Sequence, residues 1–263
     1  MSEPLFRTRT GTSGPRLVLL HGLFGQGRNW TTVARALGDA YRVTLVDLPD
    51  HGRSAWTRAF SYAGTAGALA DPAAGLVDPG DPVQLVGHSM GGKVAMALAL
   101  RHPELVARLV VVDIAPVRYA RLSGFARYVE GMRALDLARL PDRAAADAGL
   151  APYVPDPVVR SFLLQNLRRD GAGWRWQPNL ALLGDHLDDV ADWPELGAPP
   201  YGGPVLWLAG AGSDYVQPAY APAMRALFPR TRLLTVRGAG HWVHAERPET
   251  VTAALRQFLR PGP

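Results

Sequence analysis

Ser89 lies in the run Gly87-His88-Ser89-Met90-Gly91-Gly92, directly after the apolar Val83-Gln84-Leu85-Val86 and ahead of a helical pattern that ends at Arg101. A serine on a tight strand-to-helix turn can act as an acyl-transfer nucleophile. The turn exposes its hydroxyl, and the helix start places N–H groups and a positive dipole end near developing negative charge. Gly87 and Gly91 suit such a turn because only a residue without Cβ lets strand and helix approach closely enough. A second segment, His21-Gly22-Leu23-Phe24-Gly25, follows the apolar run 17–20 and is of the kind that brings another main-chain N–H beside a nucleophile. The backbone N–H groups of Leu23 and Met90 are therefore the expected oxyanion hole.

The third segment, Gly238-Ala239-Gly240-His241-Trp242-Val243-His244, follows the apolar run 232–236 and precedes the last helix. A histidine on a loop at the end of the last strand can reach the serine as general base, and the chain order serine, acid, histidine fits a parallel α/β sheet. His241, between the small residues of its loop, is the expected base; His21, His88 and His244 are expected to be scaffold. The orienting acid has two candidates. Asp214 lies on the usual loop, after the apolar run 205–209, but one residue later than a G-x-x-D spacing from Gly210, where Ser213 stands instead. Asp113 lies at the end of the run 109–114, next to the strand that carries Ser89. A carboxylate buried there needs a charge-assisted partner, and the His241 N–H would supply one, with Ser213 sharing it. Asp113 is the preferred acid and Asp214 the alternative.

These groups need a sheet to hold them. Short apolar runs at 17–20, 42–47, 83–87, 109–114, 205–209 and 232–236 alternate with helical patterns, which predicts a mostly parallel sheet flanked by helices, with a short extra strand at 5–10. Met90–Arg101 and Pro248–Leu259 are the clearest helices, the latter opened by proline at a tolerated position. A helix is expected within 62–82, although several glycines and prolines interrupt it. Residues 116–204 show helical patterns at 119–135, 157–169 and 179–190 and no convincing buried strand. The expected organisation is thus a core of residues 1–115 and 205–263, with an inserted, mainly helical lid at 116–204. An insertion leaving from a strand's carboxyl end is placed to roof the site. Phe24, Trp174, Trp176 and Trp242 are expected to line an apolar acyl pocket beneath it.

The 263 residues carry a formal charge of +5, almost all of the base as arginine spread along the chain. Neither a basic stripe nor a nucleic-acid module is present, so no nucleic-acid partner is expected. No apolar run reaches the ~18–20 residues that would span a bilayer, and Met1 to Thr10 does not resemble a signal peptide; a cytoplasmic protein without membrane attachment is expected. Cysteine is absent, which excludes disulfides, thiol catalysis and cysteine metal sites. No metal or other cofactor is expected, and the sequence leaves the oligomeric state open. Lys93 is the single lysine in a chain whose other basic positions are arginine, so its site is expected to favour a compact ammonium over a planar guanidinium.

Five motifs together resemble the α/β-hydrolase superfamily, and most closely the YbfF-type bacterial esterases and their abhydrolase-domain relatives. They are H-G-L-F-G at 21–25, D-x-x-x-H-G-x-S at 47–54, G-H-S-M-G-G-K at 87–93, V-D-I-A-P at 112–116 and G-A-G-H-W-V-H-A-E-x-P at 238–248. The resemblance covers nearly the whole chain. It implies carboxylesterase or thioesterase activity on a small acyl ester, no cofactor, a helical lid, a nucleophile at Ser89 and a base at His241. The chain departs from it at Pro49-Asp50 and in the glycine- and proline-rich stretch 64–79. Other reactions of the fold stand as alternatives, namely carbon–carbon bond hydrolysis, a lyase step or cofactor-free peroxide chemistry, as does a non-catalytic ligand receptor.

Overall fold

The computed structural model describes residues 5–120, 123–171 and 173–259. The ends of the predicted core, residues 1–4 and 260–263, and residues 121–122 and 172 of the predicted insertion lie outside the described residues. Seven strands form the central sheet: β1 (Arg7–Thr10), β2 (Arg16–Leu20), β3 (Arg42–Val46), β4 (Val83–His88), β5 (Val106–Val112), β8 (Val205–Gly210) and β9 (Thr231–Val236). Their spatial order is β1-β3-β2-β4-β5-β8-β9. Only the β1–β3 pair is antiparallel. Successive side chains of the central strands point to opposite faces, so Leu85, Leu109, Val111 and Trp207 enter one apolar core and Val86, Val110, Val112 and Leu208 the other.

Helices α1 (Thr31–Leu37), α10 (Val243–Glu246) and α11 (Pro248–Leu259) cover the second core; α2 (Tyr62–Ala70), α3 (Met90–Arg101) and α9 (Ala221–Leu227) cover the first. Helix α2 fills only the front of the stretch expected to be helical. It ends before Asp71-Pro72, because proline disfavours a helical conformation in the residue before it. Glycines let β4, α3 and the loop after β2 approach closely. A Cβ on Gly87 would stand 2.2 Å from the Gly91 carbonyl oxygen, and one on Gly91 2.3 Å from the His21 carbonyl oxygen.

Between β5 and β8 the chain forms α4 (Ser123–Ala134), α5 (Arg143–Leu150), α6 (Pro157–Leu164), α7 (Leu180–Asp185) and α8 (Leu187–Ala191). It also forms a hairpin of β6 (Leu167–Asp170) and β7 (Gly173–Trp176), neither buried along its length, which corrects the expectation that 157–169 is all helix. The physical signal was Asp170-Gly171. Asp170 ends β6 and pairs with Gly173, so Gly171 opens the two-residue turn; it takes φ +58°, a left-handed conformation that glycine adopts without strain. No helix among the described residues is long and apolar enough to cross a membrane.

Two glycine substitutions should separate contact from flexibility. Gly91→Ala drives its methyl into backbone oxygens at 2.3 and 2.9 Å and is expected to lower stability by about 1–3 kcal/mol or more. Gly67→Ala, inside α2 with open space around its Cβ, is expected to raise stability by about 0.5–1 kcal/mol. Urea unfolding of both variants checks the pair of opposite signs.

Candidate active site

Ser89 sits between β4 and α3 with φ +51° and ψ −123°, a strained conformation for a residue with a side chain. Its N–H donates to the Val112 carbonyl at 3.0 Å, which fixes the turn to the end of β5. Its Oγ lies 3.0 Å from Nε2 of His241. Nδ1 of His241 lies 2.8 Å from Oδ2 of Asp113. Serine, imidazole and carboxylate therefore form a continuous chain drawn from the ends of three different strands.

Asp113 is the first residue past β5 and is itself held at φ +53°. It is fully buried, and its lone pairs are matched by donors: the Gly210 N–H at 2.8 Å, the Ser213 hydroxyl and the His241 imidazole. Such bonds offset the cost of taking a carboxylate out of water. With Nδ1–H given to Asp113, Nε2 of His241 is left as the acceptor for the serine proton. Asp214 is exposed and makes no side-chain contact with His241. The residue standing at the expected acid position, Ser213, instead donates to Asp113.

The neighbouring histidines hold the frame. His88 donates through Nε2 to the His241 carbonyl at 2.8 Å. His21 donates through Nδ1 to the Gly22 carbonyl at 2.8 Å and accepts from the Leu48 N–H at 2.9 Å. His244 stacks on Trp30 with ring centroids 4.2 Å apart. Burial drives all three toward the neutral form: His21 falls to about 4, His244 to about 3, and His88 well below its ordinary value. None of them adds positive charge beside His241 near neutral pH.

Leu23 N–H lies in a turn closed by the Gly25 N–H donating to the Gly22 carbonyl at 2.9 Å. Met90 opens α3, so its N–H belongs to the first turn, where the helix supplies no acceptor. Leu23 borders the same small space as Ser89, and Met90 follows Ser89 in the chain. The free space beside the serine, about 10 Å³, is the size of one water, and Leu23, Phe125, Phe162 and Trp242 wall it. Of the four residues expected to line an acyl pocket, only Trp242 borders this space. Phe24 lies fully buried behind the loop, its ring 6.4 Å from that of Phe125. Trp174 and Trp176 are turned away: their indole N–H groups donate to the Leu140 and Met132 carbonyls at 2.9 and 3.0 Å. A buried indole N–H must find an acceptor, and here the acceptors lie within the insertion.

Three residues at the site were not picked out from the sequence. Phe125, Phe162 and Tyr215 stand outside the five motifs, and no spacing in the sequence marks them. Tyr215 stacks on His241 with centroids 4.0 Å apart and an interplanar angle of 24°. Its position is fixed by Tyr119, whose hydroxyl donates to the Tyr215 carbonyl at 2.6 Å and accepts from the Ala115 N–H at 2.7 Å. Pro49-Asp50, where the motif departs from its relatives, also has a structural role. Asp50 accepts from the Thr57 N–H at 2.7 Å and from the Asn179 amide at 3.0 Å, tying the loop after β3 to the insertion.

A family model for the alpha/beta hydrolase fold matches residues 15–248. The chain is 41% identical to the mouse sn-1-specific diacylglycerol lipase ABHD11 over 253 residues, 93% of this chain and 81% of the lipase. It is 33% identical to esterase YbfF of Escherichia coli K12, with 92% of each chain covered. A solved marine microorganism esterase superposes with a TM-score of 0.93 at 33% identity, over 98% of this chain and 100% of the esterase.

Lys93, four residues into the helix that Ser89 opens, is nearly fully buried. Its ammonium donates to the carbonyls of Ala191 at 2.8 Å and Asp192 at 2.6 Å, at the carboxyl end of α8, and lies 4.9 Å from the centre of the Tyr119 ring. A compact ammonium fits between these carbonyls, and a helix end favours a cation. Burial lowers its pKa from 10.5 to about 7, against the raising effect of Asp192. Between those values the unfolded chain binds the proton more tightly than the folded one, so stability rises with pH across that window. Wild type should therefore gain stability relative to Lys93→Met between pH 7 and 10.5, the window set by those two values. Urea unfolding of both proteins along that range reads the difference, and parallel curves would contradict it.

Proposed function

The chain belongs to the α/β-hydrolase family and is an esterase-like hydrolase, and from that premise we propose that it cleaves small carboxylic esters or thioesters through an acyl-enzyme on Ser89. The observation that carries this reading is the unbroken chain from Ser89 Oγ to His241 Nε2 at 3.0 Å and from His241 Nδ1 to Asp113 at 2.8 Å. His241 takes the hydroxyl proton as Oγ attacks the acyl carbon. The N–H groups of Leu23 and Met90 receive the negative charge that moves onto the carbonyl oxygen. As the tetrahedral intermediate collapses, the proton on Nε2 passes to the departing alcohol or thiol. Water then attacks the acyl-enzyme, giving its proton to His241, and the acid leaves with the serine restored. Asp113, bonded to Nδ1, holds the imidazole in the tautomer that can accept from serine.

In this reading, residues 116–204 act as the lid, with Phe125 and Phe162 facing the serine beside Trp242. The water-sized space beside Ser89 admits an acyl chain only when those side chains part. Ester names among the relatives, including a diacylglycerol lipase, support an acyl ester as the substrate class.

The two acid candidates give a sharp test. Asp113→Asn should lower turnover of a chromogenic acyl ester by about three to four orders of magnitude, because asparagine stabilises the wrong imidazole tautomer. Asp214→Asn should stay within about twofold of wild type, as expected for a surface change away from the chemistry. Steady-state kinetics on the two folded variants reads the ranking, and the reverse ranking would move the acid to Asp214.

A further inference from the structure

Arginines that are far apart in the sequence meet on one face of the molecule. Arg28 follows the loop that bears Leu23, Arg53 lies in the loop after β3, Arg143 opens α5, and Arg168 and Arg175 are paired on the β6–β7 hairpin. Arg168 is held below its ordinary pKa by burial and then by the charges of Arg28, Arg143 and Arg175, so these guanidiniums share one field. Arg175 has Asp170 at 3.6 Å. Among the described residues, the other four have no carboxylate at ion-pair distance. They donate to carbonyls instead, Arg28 to Gln165 at 2.9 Å and Arg168 to Leu167 at 3.0 Å, while Arg53 stacks on Phe6 at 4.0 Å. A carbonyl satisfies an N–H but leaves the charge uncancelled.

Arg28, Arg53 and Arg168 line a groove of about 370 Å³ together with Gln26, Asp47 and Gln177. Asp47 is already committed, its two oxygens accepting from the Gly27 N–H at 2.7 Å and the Arg53 N–H at 2.9 Å. Gln177 is 6% exposed, its carbonyl oxygen accepts from Gln26 at 3.4 Å, and its amide N–H groups make no hydrogen bond among the described residues. The groove therefore offers an amide donor that no group of the protein engages, inside a rim of guanidinium forks. Three arginines less one carboxylate leave a local charge of two. A phosphate monoester, at about −1.5 to −2 near neutral pH, matches that charge where a single carboxylate does not.

We propose that this groove is a binding site for a phosphate-bearing anion, held by Arg28, Arg53 and Arg168 around the Gln177 amide. Planar guanidinium groups bind phosphate oxygens in pairs, which suits the recognition. The groove and the space beside Ser89 lie on two sides of one loop: Gln26 and Arg28 face the groove, Leu23 and Asn29 the reactive serine. The phosphate is thus either part of an ester that reaches across this loop or a separate ligand. Binding itself is independent of the hydrolase reading.

Calorimetric titration with inorganic phosphate and pyrophosphate, at constant ionic strength, tests the site on the full-length protein. Wild type should bind saturably with one site. Arg28→Ser/Arg168→Ser, shown to be folded by circular dichroism, should bind at least about tenfold more weakly, since hydrogen bonds to charged groups are the strong ones. Arg58→Ser, an exposed arginine outside the groove, should bind like wild type. Competition between inorganic phosphate and a phosphate-bearing ester would support the site with the substrate as its source; turnover of that ester indifferent to bound phosphate would support it with a separate ligand. No saturable binding at millimolar phosphate or pyrophosphate, or equal affinity in wild type and the double variant, would overturn the proposal.

Discussion

A carboxylate with no access to water sits at the end of β5, and the arrangement of the site follows from the need to satisfy it. Asp113 takes donors from Gly210 at the end of β8, from Ser213 in the loop beyond, and from His241 after β9. One buried charge therefore ties together three stretches of chain that sheet hydrogen bonds alone would leave free to splay. Oδ1 has the Gly210 N–H, while Oδ2 is shared by Ser213 and His241; losing the Oδ1 donor would leave a buried oxygen unmatched, which costs more than the bond itself contributes. On the opposite side, β4 and α3 hold Ser89 at a positive φ, a strain of order 1–3 kcal/mol that persists only because the surrounding packing over-determines it. The loop bearing Leu23 closes the frame through His21, which bridges to the Leu48 N–H.

The parts of the site written in short motifs were legible in the sequence. Ser89, its two glycines and His241 sit in local patterns that dictate their own turn geometry. Asp113 was legible for a different reason: a loop shifted by one residue made Asp214 a poor fit, while a strand-end aspartate demanded a partner. The strand alternation was readable as well, because buried parallel strands give continuous apolar runs. Long-range packing was not. Trp174 and Trp176 carry the composition of a pocket wall, yet the direction of an aromatic side chain depends on where its N–H finds an acceptor. Phe162, on α6, and Tyr215, on the loop after β8, come to the serine and the histidine with no spacing to announce them.

Charge shows the same divide. Along the sequence the arginines are scattered, and their spread argued against a nucleic-acid surface. In space, Arg28, Arg53 and Arg168 converge because the hairpin folds back beside the loop that follows β2. Lys93 was conspicuous in the sequence only as the one lysine. The structure supplies the physical reason: its ammonium fits a cluster of main-chain carbonyls and joins the end of the insertion to the helix that begins at Ser89.

The central claim is that Ser89, alone among the serines, is an activated nucleophile. Intact-mass and peptide mass spectrometry after exposure to an alkyl fluorophosphonate measures this most directly, since the reagent reports the reactive hydroxyl without knowledge of the substrate. A single adduct on the Ser89 peptide, abolished in Ser89→Ala, is the predicted result. An adduct on another serine, or undiminished labelling of Ser89→Ala, would contradict the account.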